Sequence, residues 1–247
     1  MTQVALVTGA AQGLGKAIAQ ALFTAGFAVV VTDANEAGAC ETAQAIDPTA
    51  ERTMALRLDV LSKADFEAAL KSTTDRFGQV DVLVNNAAMT PTTPVMEISA
   101  EEFDKVVGVN MRGTFFGCQV FGQYFADNSY GRIINMASLA GQNGGTASGA
   151  HYASSKGAIL TMTKIFARQL APSGVTVNAV APGPMDLPSV RELVPAEKLD
   201  QIINEMIPVK ELGSADFVAD MVVKLAGRDA SFVTGAAWDI NGGIFMR

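Results

Sequence analysis

Short apolar runs alternate along the chain with longer alanine-rich segments whose apolar residues recur at helical spacing. The short runs predict seven β-strands, at residues 4–7, 27–31, 54–60, 80–84, 133–136, 175–180 and 236–240. The longer segments predict helices, among them residues 16–25, 63–77, 100–125 and 152–171. Strands that alternate with helices build a mostly parallel sheet with helices on both faces. The pattern therefore predicts an α/β fold with a doubly wound parallel sheet of about seven strands.

A single domain over residues 1–247 accounts for this pattern. The 247 residues, of which 49% are hydrophobic, are enough for one large core, and the sequence contains no linker and no internal repeat. Five prolines interrupt the alternation between residues 182 and 208, around a short amphipathic segment at 196–207. We expect this region to form a flap, at about residues 184–208, that is inserted into the domain.

Charge and cysteine content narrow the range of partners. The net charge is −7 and the 18 Lys and Arg residues form no basic cluster, which disfavours both nucleic acid and anionic membranes. No apolar run approaches the roughly 18 residues that span a bilayer, and residues 1–7 do not resemble a signal peptide, so we expect a cytoplasmic protein. Cys40 and Cys118 are far apart in sequence, which fits a reducing compartment and gives no metal signature.

A glycine-rich turn follows the first predicted strand. It reads Thr8-Gly-Ala-Ala-Gln-Gly-Leu-Gly15 and precedes a predicted helix. Glycines at such a turn let the backbone approach a pyrophosphate, which the free N–H groups and the dipole of the helix stabilise. A tight turn without a ligand is the alternative, and the acid that follows at Asp33 argues against it. The turn predicts a Rossmann-type dinucleotide site with five candidate contacts: Gly9, Gln12, Gly13, Leu14 and Gly15.

Asp33 indicates which dinucleotide is bound. It ends the second predicted strand, about 20 residues after the glycines, where a carboxylate accepts hydrogen bonds from the adenosine ribose hydroxyls. The carboxylate would repel a 2′-phosphate, and its sequence neighbours Thr32, Ala34 and Asn35 include no cation. We therefore expect NAD rather than NADP.

Further cofactor contacts are expected where the third and fourth strands end. Asp59 and Val60 are candidates for the adenine ring, and a strand-end cap is an equally good interpretation of them. Asn86 and Ala87 directly follow the fourth strand, where ligands bind beyond the carboxyl ends of a parallel sheet.

Tyr152 and Lys156 are four residues apart in a predicted helix, so the phenol and the ammonium lie on one face about one turn apart. A cation a few ångströms from a tyrosine favours the phenolate and lowers the pKa of the hydroxyl from about 10. The pair therefore predicts a group that exchanges protons near neutral pH.

Together these motifs resemble the short-chain dehydrogenase/reductase family over nearly the whole chain. The matching motifs are Thr8-Gly-x-x-x-Gly-x-Gly15, Asn85-Asn-Ala, Asn110, Ser138, Tyr152-x-x-x-Lys156 and Pro182-Gly183. The resemblance implies hydride transfer between NAD(H) and a secondary alcohol or ketone. It also implies a catalytic tetrad of four residues: Asn110, Ser138, Tyr152 and Lys156.

The tetrad residues have distinct expected roles. Ser138 can donate a hydrogen bond to the substrate oxygen as charge develops on it, and Tyr152 exchanges a proton with the same oxygen. By the resemblance, Lys156 holds the nicotinamide ribose and lowers the pKa of Tyr152, so both residues also contact the cofactor. Asn110, again by the resemblance, interrupts a long helix and binds a water that connects Lys156 to solvent.

Two positions depart from the family pattern. Ala88 replaces a usual glycine, and Leu187 replaces a threonine that commonly contacts the nicotinamide carboxamide. Pro182, Gly183 and Met185 remain candidate cofactor contacts. We expect backbone groups at Met185, or the side chain of Asp186, to substitute for the missing hydroxyl.

His151 is the only histidine and lies next to Tyr152. Adjacent helical positions point about 100° apart, so the imidazole cannot share the direction of the phenol. We expect a residue on the pocket rim or the surface rather than a catalytic base.

The substrate pocket is expected to form from residues 139–145, residues 90–93 and the flap. The flap offers an apolar lining, about half of which serves only to pack its short helix: Leu187, Val190, Leu193, Val194, Leu199, Ile202, Ile203 and Met206. Four acidic flap residues make an anionic substrate less favourable: Glu192, Glu197, Asp200 and Glu205. These features predict a neutral, mainly apolar alcohol or ketone.

Two alternatives remain. The chain also resembles 3-oxoacyl-carrier-protein reductases that use NADPH, but residues 171–174 lack an arginine that often helps to bind an acidic carrier, although Arg132 and Arg168 remain. A non-enzymatic NAD-sensing regulator is the second alternative, which the presence of both Tyr152 and Lys156 disfavours. By the same resemblance, helices 100–125 and 152–171 are expected to pair in a homotetramer, with the C-terminal strand forming another contact.

Overall fold

A computed structural model describes residues 2–145, 149–187, 190–191 and 194–246. Its centre is one sheet of seven parallel strands in the order β3-β2-β1-β4-β5-β6-β7. The strands are β1 Val4–Thr8, β2 Ala28–Asp33, β3 Thr53–Arg57, β4 Val82–Asn85, β5 Gly131–Met136, β6 Val175–Pro182 and β7 Ala237–Ile240. The predicted α/β class and doubly wound parallel sheet are confirmed. The third strand is shorter than predicted, so Asp59 and Val60 lie in the loop after β3.

Helices cover both faces of the sheet. They are α1 Gly13–Thr24, α2 Glu36–Ile46, α3 Lys63–Phe77, α4 Ala100–Val107, α5 Gly113–Asp127, α6 Ala140–Asn143, α7 Ala150–Leu170, α8 Ala196–Gln201 and α9 Ala215–Ala226. Short 3₁₀ turns lie at Val95–Glu97, Ala171–Ser173 and Arg228–Phe232. The predicted helix at 100–125 is interrupted by a π-helical turn, Gly108–Arg112, and a second π-helical turn, Ile202–Met206, follows α8.

Each face of the sheet has its own apolar core. Ala5 and Val7 of β1 face α1 and α9, whereas Val4 and Leu6 face α3 and α5, and all four side chains are buried. Strands that are buried on both faces have uninterrupted apolar sequences, which is why the short runs predicted them well. Each fully buried Leu, Ile or Phe contributes about 1.5–3 kcal/mol to the free energy of unfolding.

The order of the strands reverses between β1 and β4, where a crevice forms at the carboxyl edge of the sheet. The loops after β1, β4, β5 and β6 meet at this edge and carry most of the candidate site residues. None of the helices in the described part of the chain is long and apolar enough to cross a membrane.

Candidate active site

A cavity of about 500 Å³ opens at the carboxyl edge of the sheet. Its walls come from the residues that follow β4, β5 and β6, from the first turns of α7, and from the region predicted to be a flap. Leu14 closes the cavity at the glycine-rich turn and Ile244 closes it from the C-terminal segment. The sequence analysis missed Ile244, since nothing local distinguishes it from a core residue.

The glycine-rich turn is tightly packed on one side and open on the other. A Cβ added to Gly15 would lie 2.2 Å from the carbonyl oxygen of Gly9, and one added to Gly9 would lie 2.7 Å from the Cα of Ala87. Gly13 has φ of +56°, and an added Cβ would meet nothing within 4 Å. The turn therefore needs glycine for its own packing at two positions and leaves open space at the third.

Helix α1 starts without a side-chain cap. Its N-cap residue, Gln12, makes no capping hydrogen bond, whereas α2, α3, α4 and α9 are each capped by an Asn or Ser side chain. The first N–H groups of α1 thus remain available beside the open space at Gly13. This arrangement fits the pyrophosphate of a dinucleotide.

The Asp33 carboxylate is held by main-chain groups at the edge of the same turn. Its Oδ2 accepts from the N–H of Ala11 at 3.1 Å, and its Oδ1 accepts from the N–H of Asn35 at 3.0 Å. Strand pairing places Arg57 beside Asp33, a neighbour that lies too far away in sequence to be foreseen. The Arg57 guanidinium binds the Asp65 carboxylate at 3.0 Å.

Asp59 forms a strand-end cap, which was one of the two roles expected for it. Its Oδ1 accepts from the N–H of Leu61 at 3.0 Å, and its own N–H donates to Asp65 at 3.0 Å. The Val60 side chain is buried against α5, where a Cβ on Gly113 would lie 2.9 Å from it.

Asn86 joins the ends of β1 and β4. Its side-chain amide donates to the carbonyl oxygens of Thr8 and Gly9, both at 3.0 Å. The Thr8 hydroxyl in turn accepts from the N–H groups of Asn86 at 3.0 Å and Ala87 at 3.1 Å. These bonds hold the glycine-rich turn against the loop after β4, and Asn86 and Ala88 line the cavity.

The structure brings Ser138, Tyr152 and Lys156 together around the cavity. Ser138 follows β5, and its hydroxyl is hydrogen-bonded to the side chain of Tyr152. Lys156 lies one turn after Tyr152 in α7, and its Nζ donates to the carbonyl oxygen of Met136 at 2.5 Å. The same Nζ is 5.7 Å from the centre of the Tyr152 ring.

Burial shifts the pKa values of Tyr152 and Lys156 in the directions that disfavour their charged forms. Burial raises the pKa of Tyr152 above its usual value, and the hydrogen bond from Ser138 only partly offsets this. Burial lowers the pKa of Lys156 to about 8. The expectation that the Tyr152 pKa lies below its ordinary value is therefore wrong for the chain by itself, because the cost of burying a phenolate outweighs the hydrogen bond from Ser138.

Asn110 lies in the π-helical turn, outside the cavity wall and fully buried. Its side-chain oxygen accepts from the N–H of Met89 at 2.8 Å. Its amide nitrogen donates to the Met89 carbonyl and to the Ser155 hydroxyl, both at 3.0 Å. Ser155 donates to the Tyr152 carbonyl at 2.7 Å, so Asn110 connects the loop after β4 to the helix that carries Tyr152.

The segment after β6 differs from expectation at one side chain. Pro182, Gly183, Met185 and Leu187 line the cavity. Asp186, expected as a substitute for the missing threonine, instead forms a bidentate ion pair with Arg191, with distances of 2.6 and 2.8 Å. Its carboxylate is therefore already bound, which leaves the backbone of Met185 as the remaining candidate.

The predicted pocket wall is present in part. Of the apolar flap residues expected to line the pocket, five line the cavity: Leu187, Val190, Val194, Ile202 and Met206. Leu199 is buried without lining the cavity, and Leu193 and Glu192 lie outside the described residues. The two other segments expected in the pocket wall also line the cavity. Residues 90–93 contribute Thr90 and Thr92, and residues 139–145 contribute Leu139, Ala140, Asn143 and Gly145.

The expectation of a surface or rim position for His151 is wrong. The side chain is completely buried, and its Nε2 lies 2.9 Å from Glu102 Oε1. Glu102 belongs to α4, and its contact with α7 depends on how the two helices pack. No local signal in the sequence could have revealed it.

Comparisons with known proteins agree with this geometry. The family profile described as enoyl-(acyl carrier protein) reductase matches residues 9–244. The chain is 39% identical to the 2-(R)-hydroxypropyl-CoM dehydrogenase of Xanthobacter autotrophicus, with 98% of each protein covered. It is 36% identical to the 3-oxoacyl-[acyl-carrier-protein] reductase FabG of Vibrio cholerae, covering 99% of this chain and 98% of that protein.

A solved structure shows the same likeness. A Sinorhizobium meliloti protein, provisionally named a short-chain alcohol dehydrogenase, superposes with a TM-score of 0.92 at 31% identity, over 99% of this chain and 97% of that one. The chain belongs to the short-chain dehydrogenase/reductase family, whose members are oxidoreductases that use nicotinamide cofactors.

Proposed function

We propose that this protein is an NAD-dependent dehydrogenase that interconverts a neutral, mainly apolar secondary alcohol and its ketone. The observation that carries the proposal is the grouping of Ser138, Tyr152 and Lys156 around an apolar cavity that adjoins the open glycine-rich turn. The catalytic roles of these residues and of Asn110 are part of the proposal.

Tyr152 and Ser138 would bind the substrate oxygen together, because their hydroxyls already share a hydrogen bond. In the oxidation direction, the Tyr152 phenolate accepts the proton of the substrate hydroxyl. The hydrogen on the alcohol carbon leaves with its electron pair as a hydride, and the ketone forms. When bound, NAD would supply the hydride acceptor and add a positive charge that favours the Tyr152 phenolate. In the reduction direction, protonated Tyr152 donates its proton to the ketone oxygen.

Lys156 and Asn110 would orient this pair. Lys156 is mostly protonated at neutral pH, since its pKa is about 8, and its bond to the Met136 carbonyl fixes the ammonium close to the Tyr152 ring. The Asn110 amide holds Ser155, whose hydroxyl bonds the main chain at Tyr152. Both contacts limit the movement of the phenol during proton transfer.

The preference for NAD rests on Asp33. Two main-chain N–H groups orient its carboxylate beside the glycine-rich turn, where the adenosine ribose of a dinucleotide would lie. A 2′-phosphate would meet this negative charge, and the nearby Arg57 guanidinium is bound to Asp65. The open space beside Gly13 would hold the pyrophosphate of the same dinucleotide.

The choice of substrate class rests on the cavity wall. Among the described residues, Lys156 is the only charged residue that lines the cavity. An anionic substrate would lack a free cation to pair with, whereas an apolar group would contact Leu187, Val194 and Met206. We propose that the region from residue 184 to 208 acts as a flap over this wall.

A carrier-protein reductase that uses NADPH is the second candidate, favoured by the likeness to the Vibrio cholerae reductase. One of the two arginines that could bind an acidic carrier protein does not lie at the surface. Arg132 is buried and its guanidinium donates to the carbonyls of Gly131, Gly174, Gly227 and Arg228. This burial weakens the second candidate.

The test compares both activities and both cofactors. We expect NAD-dependent oxidation of neutral cyclic, aromatic or aliphatic secondary alcohols. The kcat/KM measured with NADP should be at least tenfold lower than that measured with NAD. The double substitution of Asp33→Ser and Ala34→Arg should shift the preference towards NADP. Faster NADPH-dependent reduction of an acetoacetyl thioester would favour the second candidate, and unchanged cofactor preference in the double variant would contradict the role of Asp33.

We also propose that the protein is a homotetramer. Phe115 on α5 and Ile165 on α7 are large apolar side chains that remain exposed, and Phe232 before β7 is 101% exposed. A second copy on each face would remove this apolar surface from water. Light scattering at micromolar concentration should give a tetramer, and a monomer would contradict the proposal.

A further inference from the structure

The buried histidine belongs to a chain of contacts that the proposed reaction does not use. His151 lies in the first turn of α7, directly before Tyr152, and its side chain is completely buried. Its Nε2 lies 2.9 Å from Glu102 Oε1, so this nitrogen carries the hydrogen and donates to the carboxylate. Its Nδ1 is buried and has no hydrogen-bond partner among the described residues. Because Glu102 is the single hydrogen-bond partner of the buried His151 imidazole among the described residues, this bond determines the orientation of the ring.

Glu102 extends the contact to the loop after β4. The same oxygen, Oε1, accepts from the Thr93 hydroxyl at 2.6 Å. These hydrogen bonds, first from Thr93 and then from His151, hold the pKa of Glu102 below its usual value. Glu102 therefore bonds as a carboxylate and links the Thr93 side chain to the first turn of α7.

Two further contacts hold the same loop at neighbouring positions. The N–H of Gly149 donates to the Pro91 carbonyl at 3.0 Å, and a Cβ on Gly149 would lie 2.3 Å from the imidazole of His151. The N–H and carbonyl of Met89 both bond the Asn110 side chain. Alternate residues of the loop, Met89, Pro91 and Thr93, are thus attached to α4, α7 or the π-helical turn between α4 and α5.

The residues between these attachment points form part of the cavity wall. Thr90 and Thr92 line the cavity together with residues of the region proposed as a flap. Their positions relative to Tyr152 depend on the loop, because they make no side-chain hydrogen bond of their own among the described residues. Of the three attachment points, the one at Thr93 depends entirely on side chains.

We infer that His151 is a positioning residue which, through Glu102 and Thr93, fixes residues 89–93 relative to Tyr152 and so sets the size of substrate that the pocket accepts. The inference rests on the proposed function of this cavity. His151 does not touch the reacting atoms. Its loss would let Thr90 and Thr92 move, while the glycine-rich turn on the other side of the crevice stays in place.

The test uses paired variants that remove or keep the hydrogen bonds. Thr93→Val removes the link at one end with little change in volume, His151→Phe removes it at the other end with a somewhat larger ring, and His151→Gln can restore an N–H donor near the position of Nε2. Ser154→Ala, at an exposed position of α7, is the control. We expect His151→Phe and Thr93→Val to raise KM for the alcohol about 5- to 50-fold, with kcat and NAD affinity changed less than about threefold.

Two further results distinguish positioning from a general loss of structure. The double variant should raise KM no more than either single variant, because both remove the same link. His151→Gln should recover most of the wild-type KM. A fall in kcat at unchanged KM, or effects of the two substitutions that multiply, would overturn the inference.

Hydrogen exchange makes the test independent of turnover. The amides of Met89, Thr90, Thr92 and Thr93 should exchange faster in His151→Phe and Thr93→Val than in the wild type, the control or His151→Gln. Unchanged exchange in this segment would overturn the inference even if the protein is an active dehydrogenase. Faster exchange together with a wild type that oxidises no alcohol would support the link and contradict the proposed function.

Discussion

The two sides of the crevice are built in different ways. On the glycine-rich side, the contacts run between main-chain groups and the side chains of short motifs, such as Asp33 with Ala11 and Asn86 with Thr8 and Gly9. The opposite wall combines side chains from residues 90–92, 139–145, 185–206 and 244, which are distant in sequence. A dinucleotide site thus depends on backbone geometry, which tolerates little change, whereas a substrate wall depends on side chains, which can vary without altering the fold.

The largest effect is expected on kcat, in a variant whose NAD affinity should stay the same. Tyr152→Phe should lower kcat about 10³-fold, because it removes the proton donor and acceptor, while NAD affinity changes little. Steady-state kinetics and fluorescence titration of NAD measure the two quantities. Tyr130→Phe, far from the cavity, is the matched control. If Tyr152→Phe kept full activity, the assignment of the proton to this phenol would be wrong.

The next prediction concerns the glycine-rich side alone. Gly15→Ala places a Cβ 2.2 Å from the Gly9 carbonyl, so the turn must open, and NAD affinity should fall at least 100-fold. Gly13→Ala meets no atom of the chain, so its cost to the free energy of unfolding should be only the strain of a positive φ, about 1–2 kcal/mol, although the added methyl would enter the space proposed for the pyrophosphate. Binding titrations and thermal unfolding of both variants check this difference. Equal losses of thermal stability in the two variants would show that close packing at Gly15 does not matter.

The buried ammonium should cost stability in a pH-dependent way. Because burial lowers the pKa of Lys156 to about 8, the charged form is disfavoured in the folded state. The buried ammonium lowers the free energy of unfolding by its whole cost below about pH 8. This cost disappears as the pH rises towards the ordinary lysine pKa of 10.5. Lys156→Met should therefore raise the free energy of unfolding by about 1–3 kcal/mol at pH 7, and by less near pH 10.

Chemical denaturation at the two pH values measures this effect, and an activity assay confirms the loss of function in the same variant. A variant that is less stable than the wild type at pH 7 would mean that the hydrogen bond to Met136 outweighs the cost of burying the charge.

The smallest expected effect lies on the substrate wall. Met206→Ala enlarges the cavity and should change KM for a bulky alcohol about three- to tenfold, with NAD affinity unchanged. Met96→Ala, at a residue that is 93% exposed, should change neither quantity. A marked loss of NAD affinity in Met206→Ala would mean that the two sides of the crevice are not independent.

Prediction from sequence succeeded where local signals agree with the tertiary environment. Helix α3 has the predicted bounds because Ser62 caps its start and Gly78 ends it in the left-handed conformation. The helix predicted at residues 100–125 is correct in position, and its interruption at Asn110 was expected from the family resemblance, since the π-helical turn leaves no clear mark in the apolar periodicity.

Prediction failed where a side chain has two possible partners. Asp186 was one of two candidates to replace the missing threonine hydroxyl, beside the backbone of Met185, and its carboxylate pairs with Arg191. His151 was expected on the pocket rim or the surface, and the packing of α4 against α7 buries it on Glu102. Neither outcome follows from residue type or spacing, because each depends on which segments of the chain meet.

Local signals in the sequence were enough to predict the parallel sheet, the glycine-rich turn with Asp33 after the next strand, and the helical spacing of Tyr152 and Lys156. These features follow from local backbone preferences and from apolar periodicity, which act over a few residues. The direction of the Tyr152 pKa shift, the burial of His151 and the composition of the cavity wall depend instead on how the chain folds. Burial and long-range contact set these properties, and both exist only after distant segments have packed together.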